Sequence, residues 1–316
     1  MAPIGIHVTS RSVPPWHFLL LPLLLVATVV SGGAQSASPP VPRPLVAGAS
    51  VVTLWPAGSP TLKATDVAET FTMTAGQPER VQKIANIHNP SIELHLAPAA
   101  NANRTAIILA AGGGNTELNV GTEGTDVAAW LNGLGVSAFI LRYRLQPYDS
   151  ATDALADTSR AVRMVRARAK EWRIDPNRIG IMGFSAGGEQ AARAALTFDT
   201  GTPGAPDPIE RQSSRPDFVA LVYAGWARLD VSRVPKDAPP AFLTSAGIDD
   251  AFHARQTVDF YNAWFNANIP VELHIYGHGG HANGIKPRGG IPFGTWHLRF
   301  VEWLTDLQAS ASASRP

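Results

Sequence analysis

Gly183-Phe184-Ser185-Ala186-Gly187 sets a serine between two glycines, at the point where the apolar run Ile179–Met182 gives way to an alanine-rich stretch. A strand, a tight turn and a helix in that order hold a serine hydroxyl out on a strained elbow. The residues two before and two after must then lack side chains that would collide with the crossing backbone. Gly188 is expected to loosen the turn further. A serine hydroxyl is a weak nucleophile, so it needs a base within hydrogen-bond reach and a third group to orient that base. Both kinds of residue follow. The doublet Asp249-Asp250 comes after the apolar run Ala241–Ala246, and His278 and His281 share one glycine-rich loop after Val271–Tyr276. The glycines before His281 free its loop to turn the imidazole inward, which favours His281 over His278. His274 alternates within the apolar run and reads as structural. Either Asp249 or Asp250 could be the acid, since one of two adjacent carboxylates can simply cap the next turn.

A carbonyl attacked by such a serine develops an oxyanion that needs amide donors. Gly112-Gly113-Gly114 follows the apolar run Ala106–Ala110; Gly113 and Gly114 are the expected donors, with the amide of Ala186 completing the set. The same glycines could cradle a phosphate, but they lack the lysine of a P-loop and the G-x-G-x-x-G spacing of a dinucleotide site. A metal centre on His274, His278 and His281 lacks an acidic or cysteine ligand at a matched spacing such as H-E-x-x-H. No cofactor and no metal are therefore expected.

The elements that must position these residues alternate. Strands are predicted at Ile92–Leu96, Ala106–Ala110, Val136–Tyr143, Ile179–Met182, Phe218–Tyr223, Ala241–Ala246 and Val271–Tyr276. Helices are predicted between them at Gly124–Leu134, Ala151–Trp172, Ala186–Leu196 and Val258–Ala267, with a last one at Thr295–Leu307. Short apolar strands separated by amphipathic helices predict an α/β fold, a mostly parallel twisted sheet with helices on both faces. The polar stretch Phe198–Arg215 reads as a surface loop near the sheet's carboxyl edge.

Composition narrows the partners. Hydrophobic residues make up 45% and charged residues 16% of the 316, enough to bury a sizeable core. With 26 basic against 25 acidic residues the net charge is +1, so no global field recruits nucleic acid or an anionic membrane. The absence of cysteine excludes disulfides, thiolate ligands and a cysteine nucleophile. At the start, Arg11, the apolar run Phe18–Val30 and the small residues to Ala34 read as an export signal over 1–34. That run falls short of the ~20 residues a spanning helix needs and contains Pro22, so no stable membrane insertion is expected and the mature chain is expected outside the cytoplasm. Residues 35–45, rich in proline, read as a flexible linker, and 46–316 as one domain.

Taken together, these stretches resemble the carbohydrate-esterase-like branch of the α/β hydrolases, the acetyl xylan esterase and feruloyl esterase-like group. The likeness runs from VVTLWPAGSP at Val51 through NIHNPSIELHLAP, AGGGN, EGTDVAAWLNGLGVSAFILRYRL, GFSAGG and PPAFLTSAGIDD to ELHIYGHGGHANG. In that group the serine of GFSAGG, the second aspartate of the doublet and the histidine of the GGH loop are the triad, which implies Ser185, Asp250 and His281. Three departures border the expected substrate pocket. Asn115 stands where an aromatic residue is usual, Glu189 where a histidine often follows GFSAGG, and GGHANG replaces GGHGFG. Trp55 and Trp226 could stack on sugar rings, against the commoner place of tryptophan in a core. The resemblance implies a serine esterase acting on a small-molecule or polysaccharide ester, by deacetylation of xylan or other carbohydrate or of a similar small acyl ester. A serine peptidase of the same fold and a non-catalytic hydrolase-fold binding protein are the alternatives: the first would bring a gating domain that this length cannot hold, and the second would lack a member of the triad.

Overall fold

The computed structural model describes residues 39–63, 67–225 and 229–313, all within the unit Ser36–Pro316. The chain enters through β1 (Ser50–Thr53), the hairpin β2 (Thr70–Thr74) and β3 (Gln77–Ala85), and then β4 (Ser91–His95) and β5 (Ala106–Ala110). After the two-residue β6 (Glu117–Leu118), a turn of π-helix at Gly121–Thr125 runs into α1 (Asp126–Gly133). Strand and helix then alternate through β7 (Ser137–Arg142), α2 (Asp153–Ala167), β8 (Ile179–Phe184), α3 (Ala186–Leu196) and β9 (Phe218–Val222). The chain ends with β10 (Ala241–Ala246), α4 (Ala251–Asn266), β11 (Val271–Tyr276) and α5 (Trp296–Ala313).

Eight strands make one sheet in the order β1-β4-β7-β5-β8-β9-β10-β11. Only β4 runs against its neighbours; every other pairing in the sheet is parallel. Every residue of β5, β7, β8, β9 and β10 is buried, because helices cover both faces, and this is why these strands read as unbroken apolar runs. The second sheet, β2-β3-β6, is small and antiparallel. Its strands, such as QPERVQKIA, are polar and partly exposed and do not register as apolar runs. The structure thus adds β1, β2, β3 and β6 to the predicted strands. It also starts α4 seven residues earlier than expected, since the first two turns, AFHARQT, present exposed Phe252 and no apolar stripe.

Two expectations change. The loop Phe198–Arg215 does not border the carboxyl edge: α3 starts there and runs back, so the loop packs on α2 and enters β9 from the amino side. Asp217 donates its N–H to the Ile179 carbonyl at 2.7 Å, while Arg160 holds Asp207, Arg163 holds Asp199 and Arg166 holds Asp217. The described part of the expected linker is docked. Leu45 donates its N–H to Glu93 at 2.6 Å, and the Arg43 carbonyl accepts from Arg142 at 2.7 Å. The Glu93 and Arg142 side chains are themselves fully buried and paired at 3.0 Å. The export segment expected over 1–34 lies outside the described residues. Among those described, no helix is long and apolar enough to cross a membrane.

Candidate active site

The carboxyl ends of β8, β10 and β11 bring three side chains together. Ser185, between β8 and α3, has φ +50° and ψ −119°, a conformation that a non-glycine residue holds only when its surroundings over-determine it. Its N–H donates to the Val222 carbonyl at 3.1 Å, and its own carbonyl accepts from Glu189 and Gly225. The neighbouring glycines are demanded by contact. A methyl on Gly183 would lie 2.3 Å from the Gly187 carbonyl oxygen, and one on Gly187 would lie 2.0 Å from that of Ala110. Gly188 does not loosen the turn as expected: a methyl there would meet Ala224 Cβ at 2.4 Å, so its role is clearance between α3 and the end of β9.

His281 Nε2 lies 2.9 Å from Ser185 Oγ, and His281 Nδ1 lies 2.8 Å from Asp250 Oδ2. Asp250 is buried at the foot of α4. The structure separates the two aspartates: Asp249 faces outward, accepts the Gly279 N–H at 2.9 Å and contacts His278 Nδ1 at 3.2 Å. Asp249 and His278 thus shape the loop that carries His281. His274 pairs with Glu272 at 2.7 Å and lies against Phe242, consistent with a structural role. Burial holds the His281 pKa below the ordinary imidazole value of 6.5, against the pull of its hydrogen bond to Asp250. The ring therefore stays neutral, and able to accept a proton, to lower pH than a free imidazole does.

The His281 loop is braced by residues that the sequence did not single out. The Arg288 guanidinium donates to the carbonyls of Gly279, Gly280 and Ala282 and sits over the Phe293 ring. The Tyr223 hydroxyl accepts the Gly284 N–H and donates to Glu123 Oε1, both at 2.9 Å, and the Tyr223 ring meets His281 edge-on at 4.9 Å. Glu123 lies in the π-helical turn, a form often found at functional sites, and is 1% exposed. Burial raises its pKa to about 7 despite hydrogen bonds from the Gly112 amide and Tyr223. Nothing in the spacing of Arg288, Tyr223 or Glu123 announces these contacts. His253 also joins the site, and here a signal existed: it stands three residues after Asp250 at the start of a helix, where an i, i+3 pair shares a face.

The glycine loop is packed against the serine, for a methyl on Gly112 would lie 2.7 Å from Ser185 Cβ. The Gly112 amide is held by Glu123 Oε2 at 2.7 Å. The amides of Gly113, Gly114 and Ala186 have no acceptor among the described residues, so they are free to bind an anion. Of the three expected pocket residues, Asn115 sits at φ +62° in the turn after the glycines, its carbonyl held by the Gln146 N–H. Glu189 lies one turn along α3 with its carboxylate paired to Arg193 at 2.6 Å. Trp226 lies outside the described residues. Trp55 is not a sugar platform: its indole N–H donates to Asp157 and Arg160 covers its ring.

The fold, with serine, imidazole and carboxylate hydrogen-bonded at its carboxyl edge, is that of the α/β hydrolases. Residues 92–220 match the BD-FAE family model. The chain is 31% identical over 238 residues to an acetylxylan esterase of Xylanibacter ruminicola, an alignment covering 66% of this chain and 45% of that protein. It is 26% identical to the carboxylesterase NlhH of Mycobacterium tuberculosis over 58% of this chain and 51% of that one. The chain thus spans about half the length of these curated relatives. Among solved structures it is similar to an acetyl ester-xyloside bifunctional hydrolase from Caldicellulosiruptor lactoaceticus, with a TM-score of 0.67, 29% identity and coverage of 83% of this chain and 99% of that one.

Proposed function

We propose that the protein is an exported serine esterase that removes small acyl groups, acetyl foremost, from carbohydrate such as xylan. The observation that carries this reading is the relay of 2.9 Å and 2.8 Å linking Ser185, His281 and Asp250. Ser185 Oγ attacks the ester carbonyl carbon while His281 Nε2 takes its proton. Asp250 holds the Nδ1–H and stabilises the imidazolium that forms. The amides of Gly113, Gly114 and Ala186 receive the oxyanion. The tetrahedral intermediate collapses as His281 protonates the departing alkoxide, which leaves Ser185 acylated. Water, deprotonated by the same imidazole, then releases the acid and restores the serine.

Acetyl and carbohydrate specificity draw support from the names of the relatives, an acetylxylan esterase and an acetyl ester-xyloside hydrolase. Export draws support from Arg11 and the apolar run Phe18–Val30. Purified protein should release acetate from acetylated xylan faster than it cleaves feruloyl esters or peptide amides. Ser185→Ala should lower kcat on the order of 10⁶-fold, the scale seen when a serine hydrolase loses its nucleophile. Undiminished turnover in that variant would end the serine mechanism. Faster cleavage of peptides than of esters would replace the esterase reading by a peptidase one.

A further inference from the structure

Asp250 carries two imidazoles. His253, in the first turn of α4, has its Nδ1 2.6 Å from Asp250 Oδ1, while His281 occupies Oδ2. The two rings are stacked face to face, with centroids 4.0 Å apart and planes 20° from parallel. Two further neighbours flank His253, whose side chain is 18% exposed. Phe252 meets its ring edge-on at 5.0 Å, and Gly225 passes so close that a methyl there would lie 3.2 Å from His253 Nε2. Asp250, His253 and His281 together could suggest a metal site. The geometry favours hydrogen bonds instead: each Nδ1 already sits at bonding distance from a carboxylate oxygen, and an ion bound at about 2 Å to both would force the pairs apart.

We propose that His253 is a positioning residue of the relay, locking the Asp250 carboxylate through Oδ1 and holding the His281 ring in plane by stacking. The proposal rests on the reading of Ser185, His281 and Asp250 as the reacting unit. A carboxylate bonded through one oxygen can swing about its Cβ–Cγ bond; bonded through both, it presents Oδ2 to His281 in one orientation. The stacked ring limits rotation of His281 about its own side-chain bonds, so Nε2 stays aimed at Ser185. There is an electrostatic consequence as well. The His253 N–H draws charge from the carboxylate, and any positive charge on His253 lies one ring-stack from His281, so both effects disfavour a proton on His281. Arg288 behind the loop pushes the same way and Asp250 pushes back. Tyr223, edge-on to His281, is buried with its pKa raised well above the usual phenol value and stays uncharged.

Two substitutions separate the contacts. His253→Phe keeps a flat ring and loses the donor; His253→Asn keeps an N–H donor and loses the stack. The His281 ring is titrated by NMR in the full chain and in both variants, beside the pH profile of p-nitrophenyl acetate hydrolysis. In His253→Phe the His281 midpoint and the acid limb of kcat/KM should both move up in pH. Its kcat should fall on the order of 10²-fold with KM little changed, the scale of a misplaced catalytic group. In His253→Asn the midpoint should return toward the unmodified value with part of kcat. An unmoved midpoint in His253→Phe overturns the proposal, whether kcat holds or falls, because a merely structural role would not touch the titration. If the unmodified protein leaves esters untouched while the midpoint still moves, the esterase reading falls and the positioning role stands.

Discussion

Ser185 and His281 meet at 2.9 Å, yet the two sides of that contact are held by different means. On the serine side the backbone dominates: β8 is buried between β5 and β9, and Gly183, Gly187 and Gly188 clear carbonyls or a methyl at distances no side chain could share. On the histidine side a loop with consecutive left-handed residues, Ala282 at φ +69° and Asn283 at φ +79°, is stapled by side chains: Arg288 from below, Tyr223 at its end, and Asp249 at its start. A serine built into a sheet is fixed by exclusion, and tolerates almost no change. An imidazole on a stapled loop is fixed by attraction, and each staple can be removed singly and its effect graded. Glu123 joins the two sides, since one carboxylate oxygen holds Gly112 beside Ser185 and the other holds Tyr223 beside His281.

The comparison can be broken most sharply at the acid. Asp250→Asn should lower kcat roughly 10⁴-fold, the scale observed when a triad imidazole loses its orienting carboxylate, while Asp249→Asn, on the exposed side, should cost far less. Measuring both on one ester decides the doublet, and a larger loss at Asp249 would reverse the assignment. Next in size is Gly187→Ala. The added methyl would sit 2.0 Å from the Ala110 carbonyl oxygen, so denaturant unfolding should show a loss of about 3 kcal/mol or more, or no folded protein. Removing a staple should do less to the fold and more to the rate. Arg288→Ala frees the carbonyls of Gly279, Gly280 and Ala282, and kcat should fall on the order of 10²-fold through misplacement of His281; an equal loss of unfolding free energy in Arg288→Ala and Gly187→Ala would erase the distinction between the two sides.

The smallest effect concerns pH and the bridging carboxyl. Glu123 is raised from 4.5 to about 7 by burial. A group with a raised folded pKa contributes stability that is complete below its unfolded value and is lost as pH climbs through the folded one. Across the window from 4.5 to about 7 the protein therefore loses a contribution that Glu123→Gln, which cannot ionise, retains. Urea midpoints followed across that window should converge or cross between the two proteins as pH rises; parallel curves would show that Glu123 does not titrate there. His281 acts with the opposite sign, since burial lowers its folded pKa and its contribution is lost as pH falls.

The same contrast explains what could be read in the sequence. The elbow was legible because its constraint is local: strand, glycine, serine, glycine and helix are contiguous, and α3, β5, β10 and β11 match their predicted limits. His281 and Asp250 could be chosen because each sits in the loop that follows a predicted strand, β11 and β10. Arg288, Tyr223 and Glu123 could not, because they reach their partners by tertiary contact and carry no periodic mark. The reason for Gly188 was misjudged for the same cause, as Ala224 is 36 residues away in the chain but adjacent in space. The antiparallel strands β2 and β3 leave no such mark in the sequence, because a half-exposed hairpin does not show the apolar run that a covered strand does.

The docked stretch before β1 alters where the domain should be thought to start. Glu93 and Arg142 sit in the interior, and Arg43, Leu45 and Val46 supply hydrogen bonds to that pair. A version trimmed to begin at Ala47 would remove three hydrogen bonds from this buried ion pair and leave it with its mutual contact, Glu69 and His95, a loss of partners that a buried pair tolerates poorly. Protein engineers choosing a fusion junction should accordingly cut upstream of the prolines and treat residues 39–46 as a plug.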